Sequence, residues 1–199
     1  MHSTMLIILD NGHGNNTPGK RSPIWKDGSR LYEWEFNRKV TREIKKRLDN
    51  LGIECILLVP EEYDVSLQER CIRANEIYKN RKDAILFSIH ANAGGGTGWE
   101  CWTSVGETKS DHYAKLLYIS AGNYLRGWRL RCDYSDGDPD WESQFYILRH
   151  TNCPAVLSEN MFMDTERDCK FILSDEGIET IAALHVDAII TINDELNKI

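Results

Sequence analysis

His13 and His90 each stand just past an apolar run. Met5-Leu6-Ile7-Ile8-Leu9 leads into Asp10-Asn11-Gly12-His13-Gly14, and Ala84-Ile85-Leu86-Phe87 leads into Ser88-Ile89-His90-Ala91. Short apolar runs bounded by polar residues read as buried strands, and an open α/β sheet binds its ligands beyond the carboxyl ends of such strands. Two neutral imidazoles brought to one rim, with the carboxylate of Glu33, form a zinc ligand set that leaves a position for water, as hydrolytic zinc requires. None of these residues share a helical turn, unlike H-E-x-x-H, so the fold has to supply the geometry. Spacing alone leaves a plainer reading open: a loop histidine bonded to backbone, a glutamate favoured by the positive end of a helix, and a core histidine with its bonds satisfied.

Glu159 follows the apolar run Pro154-Ala155-Val156-Leu157. A carboxylate there is either a rim charge or N-cap, or it is buried with a raised pKa and able to act as general base and acid in hydrolysis. Other patterns carry less. Gly14 to Lys20 matches G-x-x-x-x-G-K after a strand, but Arg21 stands where a hydroxyl must hold magnesium and Pro18 removes a backbone donor. Asp133, Asp136, Asp138 and Asp140 with Glu142 suggest a calcium loop. Gly137 misses the sixth place, however, and no Glu follows at the twelfth, so a solvated acidic loop is expected. Trp99, Trp102, Trp128 and Trp141 would suit sugar or peptide contacts near a cleft, with core packing expected for at least half of them. Cys153 near His150 shows no sign of an activated thiol.

The elements that must position these residues follow from periodicity. Residues 10–30, rich in Gly, Pro and Asn, read as a long surface loop. From Glu33, the residues Phe36, Val40, Ile44, Leu48 and Leu51 recur at helical spacing until Gly52 ends the pattern. Ile53 to Val59 reads as a strand, Ser66 to Glu69 as a capping box opening a helix to about Tyr78, and a third strand ends at His90. Trp99 to Trp102 reads as an edge strand, followed by a helix from about Ser110 to Leu125 and a loop over 133–143. Phe145–Leu148 and Ala155–Leu157 read as two more strands, and two helices follow, one after Thr165 and one from about Glu176 to Leu196. This alternation predicts an α/β fold: one domain over residues 1–199, with a mostly parallel, twisted sheet of about six strands, right-handed crossovers and helices on both faces.

Composition excludes several classes. With 41% hydrophobic and 28% charged residues the chain is of globular type, and no apolar run approaches the roughly 18 residues of a membrane span. A net charge of -7 makes nucleic acid an improbable partner, because no basic footprint offsets it. The six cysteines contain no C-x-x-C pair and are expected to be reduced, mostly buried thiols.

Taken together, the segments resemble the zinc-dependent N-acetylmuramoyl-L-alanine amidases of the cell-wall amidase type 3 family over nearly the whole chain. Asp10-Asn11-Gly12-His13-Gly14 resembles the family's D-x-G-H-G, and Glu33 to Asn37 its E-x-x-x-N. Leu67, Arg70, Ala74 and Asn75 resemble L-x-x-R-x-x-x-A-N, Ser88 to Ala93 resembles S-I-H-A-N-A, and Gly98 with Glu100 the following G-x-E. Pro154 to Glu159 resembles P-A-V-L-x-E. The resemblance implies that His13, Glu33 and His90 hold one zinc ion and that Glu159 is the catalytic carboxylate. It also implies that peptidoglycan is the partner, cut at the amide between N-acetylmuramic acid and L-alanine. Asn15 and Asn160-Met161 depart from the family pattern, in ways that bear on loop shape and substrate fit. Two alternatives stay open: a catalytically inactive wall-binding module of the same fold, and a nucleotide-dependent enzyme using the Gly14 to Lys20 loop. No export signal is visible ahead of the first strand, so a phage-type lysin is expected first, made in the cytoplasm and acting on the wall after release or lysis. A host remodelling or sporulation enzyme is expected second. An open site and a monomeric state are also expected.

Overall fold

The computed structural model describes residues 5–198, so the ends of the expected 1–199 domain lie outside the described residues. The order of elements is β1 (Leu6–Asn11), α1 (Glu33–Asn50), β2 (Glu54–Leu57), α2 (Leu67–Asn80), β3 (Ala84–Asn92) and β4 (Trp99–Ser104). It continues with α3 (Lys109–Tyr124), β5 (Trp141–Ser143), α4 (Tyr146–His150), β6 (Ala155–Phe162), α5 (Glu166–Leu173) and α6 (Asp175–Leu196). The six strands form one sheet in the order β2-β1-β3-β6-β4-β5. β1 lies parallel to β2 and β3, and β3 parallel to β6, while β4 runs antiparallel to β6 and β5 parallel to β4. The sheet is therefore mostly parallel, as expected.

β1 is buried along its whole length, the condition under which a parallel strand reads as a continuous apolar run. Its odd-numbered residues Ile7 and Leu9 join Phe36, Val40, Ile44 and Leu48 of α1 and much of α6 in the larger core. Its even-numbered residues Leu6 and Ile8 join Cys71 and Ala74 of α2 and Ile147 and Leu148 of α4 in the smaller one. Helices thus cover both faces.

Several expectations need correction. Phe145–Leu148 is no strand: Phe145 caps α4, and its carbonyl accepts from Leu148 N and Arg149 N. The buried residues there are the neighbours Ile147 and Leu148, both in the smaller core, with exposed Tyr146 and Arg149 on either side. The 133–143 loop ends in a short strand, β5, and that strand covers β4, which is consequently internal and not at the edge. Ser66 accepts from Glu69 N as expected, but the Glu69 carboxylate pairs with Arg73 one turn on and does not close a reciprocal box. All six cysteines are free thiols, and only Cys132 is not buried. Among the described residues, no helix is long and apolar enough to cross a membrane.

Candidate active site

One face of the sheet changes character along the strands. Leu6 and Ile8, Ala84 and Leu86, and Ala155 and Leu157 belong to the smaller core. The residues that continue these columns are Asp10 on β1, Ser88 and His90 on β3, and Glu159 on β6, since side chains two apart share a face. Apolar layers at the amino ends of the strands thus give way to ionisable groups at the carboxyl ends, the end at which open α/β sheets bind their ligands.

His13, Glu33 and His90 meet there, each offering one ligand atom, all within 4.8 Å of one another. The two imidazoles meet edge to face at a centroid distance of 5.0 Å. Glu33, at the first turn of α1, is 1% exposed. Its Oε1 lies 3.1 Å from His90 Nδ1, accepts from Ala91 N at 3.2 Å, and stands 3.3 Å from His13 Nε2. Burial works to raise the pKa of Glu33, and the two imidazoles more than reverse it, holding it well below the usual carboxylate range. The same carboxylate raises His90 against the desolvation that would lower it.

This cluster fits a metal ion. Glu33 Oε2 and His13 Nε2 are sealed from solvent without a properly aligned hydrogen bond, although Lys20 Nζ approaches Glu33 Oε2 to 3.8 Å. Imidazoles with a carboxylate are a zinc donor set. Gly12 makes room for the His90 ring, which a Cβ there would approach to within 2.1 Å.

Glu159 lies opposite His90 across β3 and opposite Glu100 across β4. Its side chain keeps some exposure, yet Oε2 is sealed and accepts no hydrogen bond. Burial pushes its pKa up to about 7, with His90 and Lys20 pulling it down and Glu33 and Glu100 pushing it further up. Glu100, by contrast, is fully engaged by Arg131 at 2.6 Å and Asn92 at 2.6 Å. Of the two neighbouring glutamates, only Glu159 is left available for proton transfer.

Several of the groups that hold these residues stand in the quoted motifs, Asp10, Asn37, Arg70 and Ser88 among them, but the sequence alone gave them no role. His13 has φ 64°, an unfavourable backbone for a non-glycine residue. Its carbonyl accepts from Arg38 at 2.9 Å and Arg70 at 3.3 Å, and the preceding Gly12 carbonyl accepts from Asn37 at 3.0 Å. Arg70 is 1% exposed and also binds Asp10, Asn11 O, Asp64 and Val65 O. Asp10 in turn accepts from Ser88 at 2.6 Å, which ties β1 to β3 just below the histidines.

Behind His90, Asn160 donates to the His90 carbonyl at 2.9 Å and to Ser158 Oγ at 3.0 Å. Ser158 Oγ lies 2.9 Å from Nε2 of the buried His185, whose Nδ1 faces Ile181 O at 2.7 Å. Burial pushes His185 down to about 4, the Ile181 carbonyl opposing it. Unfolding releases an imidazole of ordinary pKa that binds a proton, so stability is full above about pH 6.5 and falls as pH drops towards 4. The loss through this group is about 3 kcal/mol at most. Urea unfolding at stepped pH is expected to show this decline, and to show it markedly flattened in His185→Gln.

The phosphate-loop, thiol and tryptophan patterns resolve without a ligand. Gly14 N and Asn15 N are bonded to Thr17 Oγ1 and Glu62 O, and among the described residues no helix begins before Glu33, so the Gly14 to Lys20 segment presents no phosphate cradle. Burial pushes the Cys153 thiol up to about 12, which removes it as a nucleophile. Trp99 is core, with Nε1 on Asn160, while Trp128 packs on Phe171 and Trp102 on Trp141 and Phe145. The acidic loop is only partly solvated: Asp140 is 1% exposed, and burial, reinforced by Asp138 and opposed by Thr103, raises its pKa to about 8.

A mostly parallel sheet whose strand ends gather two imidazoles, a buried carboxylate and a second, unbonded one makes this an α/β protein with a donor set that suits a metal ion. The family described as N-acetylmuramoyl-L-alanine amidase matches residues 7–191, and the chain belongs to that family. It is 27% identical over 187 residues to a sporulation-specific N-acetylmuramoyl-L-alanine amidase of Bacillus subtilis, covering 92% of this chain and 66% of that protein. It is also 27% identical over 190 residues to an endolysin of Bacillus phage SPP1, covering 92% and 64%. The chain thus spans just under two thirds of the length of these relatives. Among solved structures, an N-acetylmuramoyl-L-alanine amidase from Clostridium difficile 630 superposes with a TM-score of 0.81 at 26% identity, covering 96% of this chain and 98% of that one.

Proposed function

We propose that residues 1–199 form the catalytic domain of a zinc-dependent peptidoglycan amidase. It hydrolyses the amide joining the lactyl group of N-acetylmuramic acid to L-alanine. The observation that carries this reading is the convergence of His13, Glu33 and His90 beside Glu159, a carboxylate with no other bond to make. His13, Glu33 and His90 would hold the ion, which when bound supplies a Lewis acid that polarises a carbonyl and lowers the pKa of water.

The protein's own part is positional and protonic. Arg70, Arg38 and Asn37 fix the loop that carries His13, and Asn160 fixes the strand beneath His90. Ionised Glu159 takes the proton of the attacking water and delivers it to the alanine nitrogen, which then leaves as an amine. A pKa near neutrality suits a group that must serve as base and then as acid.

Peptidoglycan is the proposed partner, met by a single chain. A phage-type lysin, made in the cytoplasm and acting on the wall after release or lysis, is supported by the likeness to the phage endolysin. A sporulation or remodelling role is supported to the same degree by the Bacillus subtilis relative.

The test is mass spectrometry of peptidoglycan digested with the purified chain. Stem peptides with a free L-alanine amine and glycan retaining its lactyl group are expected, with loss on chelation and recovery on adding zinc. Wall binding without any new amine would leave an inert binding module in its place.

A further inference from the structure

A second convergence of carboxylates lies at the other end of the sheet. β4 runs antiparallel to β6, pairing Glu100 with Glu159 and Trp102 with Leu157, so Thr103 points the chain away from the proposed active site. Around Thr103, oxygens of Asp111, Asp138 and Asp140 lie within 4.8 Å of one another. We propose that these three aspartates bind a calcium ion that fastens the 133–140 loop to the start of α3.

The bonding of the cluster is what points to a cation. Asp140 is 1% exposed and Asp111 7%. Thr103 Oγ1 stands 2.6 Å from Asp140 Oδ2 and 3.1 Å from Asp111 Oδ1, and its single proton serves only one of them at a time. Asp111 Oδ2 is taken by the Thr108 amide and hydroxyl in the cap of α3. Asp140 Oδ1 and Asp138 Oδ1 are sealed from solvent and accept no hydrogen bond, and the two carboxyl groups approach each other. A buried carboxylate oxygen without a donor is costly, and a cation relieves it where no donor does.

The chemistry selects the ion. Every donor is a hard oxygen carried partly on loop, and oxygens sharing calcium at 2.3–2.6 Å fall within about 5 Å of one another. Magnesium demands a tighter octahedron, and zinc favours nitrogen or sulfur. An adjoining cavity of about 630 Å³, bordered by Gly106, Asp111, Asp138 and Glu142, gives the ion a path and room for its water ligands. With three carboxylates and the rest water, a dissociation constant of about 10⁻⁴–10⁻³ M is expected.

The test is titration of the zinc-loaded chain with calcium chloride, followed by calorimetry and thermal unfolding. Saturating calcium is expected to raise Tm by about 5 °C or more. Both the heat and the shift should be lost in Asp138→Asn, a half-buried loop position whose replacement leaves the core untouched. Asp140→Asn tests the buried partner. A wild-type chain indifferent to calcium, or an undiminished response in both variants, overturns the proposal. Indifference together with an Asp140→Asn protein at least as stable as wild type at pH 7.5 would show that Asp138 and Asp140 share a proton instead.

Discussion

Replacing Glu159 by glutamine is expected to lower turnover of muropeptide by about two orders of magnitude or more. The amide is nearly the same size as the carboxyl, and Glu159 Oε2 accepts no hydrogen bond, so the substitution breaks no contact of that atom. It also removes an ionisable group that burial already disfavours, its pKa standing at about 7. Folding free energy should therefore be unchanged or slightly improved, while the proton acceptor is gone. The loss should fall on kcat with KM little altered, the pattern of an interaction made only in the transition state. A Glu159→Gln protein that cleaves at the wild-type rate would remove the residue from the reaction.

The second large effect is expected at Arg70. Its guanidinium, nearly inaccessible to solvent, bridges Asp10, Asp64 and the carbonyls of Asn11, His13 and Val65. Arg70→Leu leaves Asp10, itself 1% exposed, as a buried charge with only Ser88 to bond it. Breaking a buried pair in this way costs about 3–5 kcal/mol, to be read as a fall in the urea midpoint. It also frees the carbonyl of His13 from one of its two arginines, and His13 sits at φ 64°. Loss of such a supporting bond is expected to weaken zinc binding by about 10–100-fold in whatever fraction still folds. Arg70→Lys should recover only part of either loss, because an ammonium cannot span acceptors set out for a planar fork.

His13, His90 and Glu159 stood out because a strand end is a local signal: an apolar run that stops at Asp10, Ser88 or Ser158 announces where the next polar side chains will stand. Glu33 was marked instead by the start of a helical pattern, and the roles of all four were implied by the family resemblance. The alternation of strands and helices, also a local signal, gave the sheet and its mostly parallel sense. What escaped, the burial and role of the motif residue Arg70 included, is set by contacts distant in sequence. Arg70 lies on the buried face of α2 beside Cys71 and Ala74, while Leu67 and Ile72, which a hydropathy pattern would bury, are 50% and 45% exposed. A helical face that turns an arginine inward answers to Asp10, sixty residues earlier. α4 escaped because Phe145-Tyr146-Ile147-Leu148 has strand-like composition, and four residues are too few for helical periodicity to speak. Burial of Asp140 could not be read from a loop otherwise rich in Asp and Gly, since it depends on Thr103 of β4 lying alongside.

The four residues of the proposed site divide into three that hold an ion and one that moves a proton, and the zinc content of purified variants separates these roles without reference to activity. Elemental analysis is expected to find about one zinc per chain in the wild type and in Glu159→Gln, and little in His90→Ala. Zinc lost from Glu159→Gln, or retained in full by His90→Ala, would contradict that division.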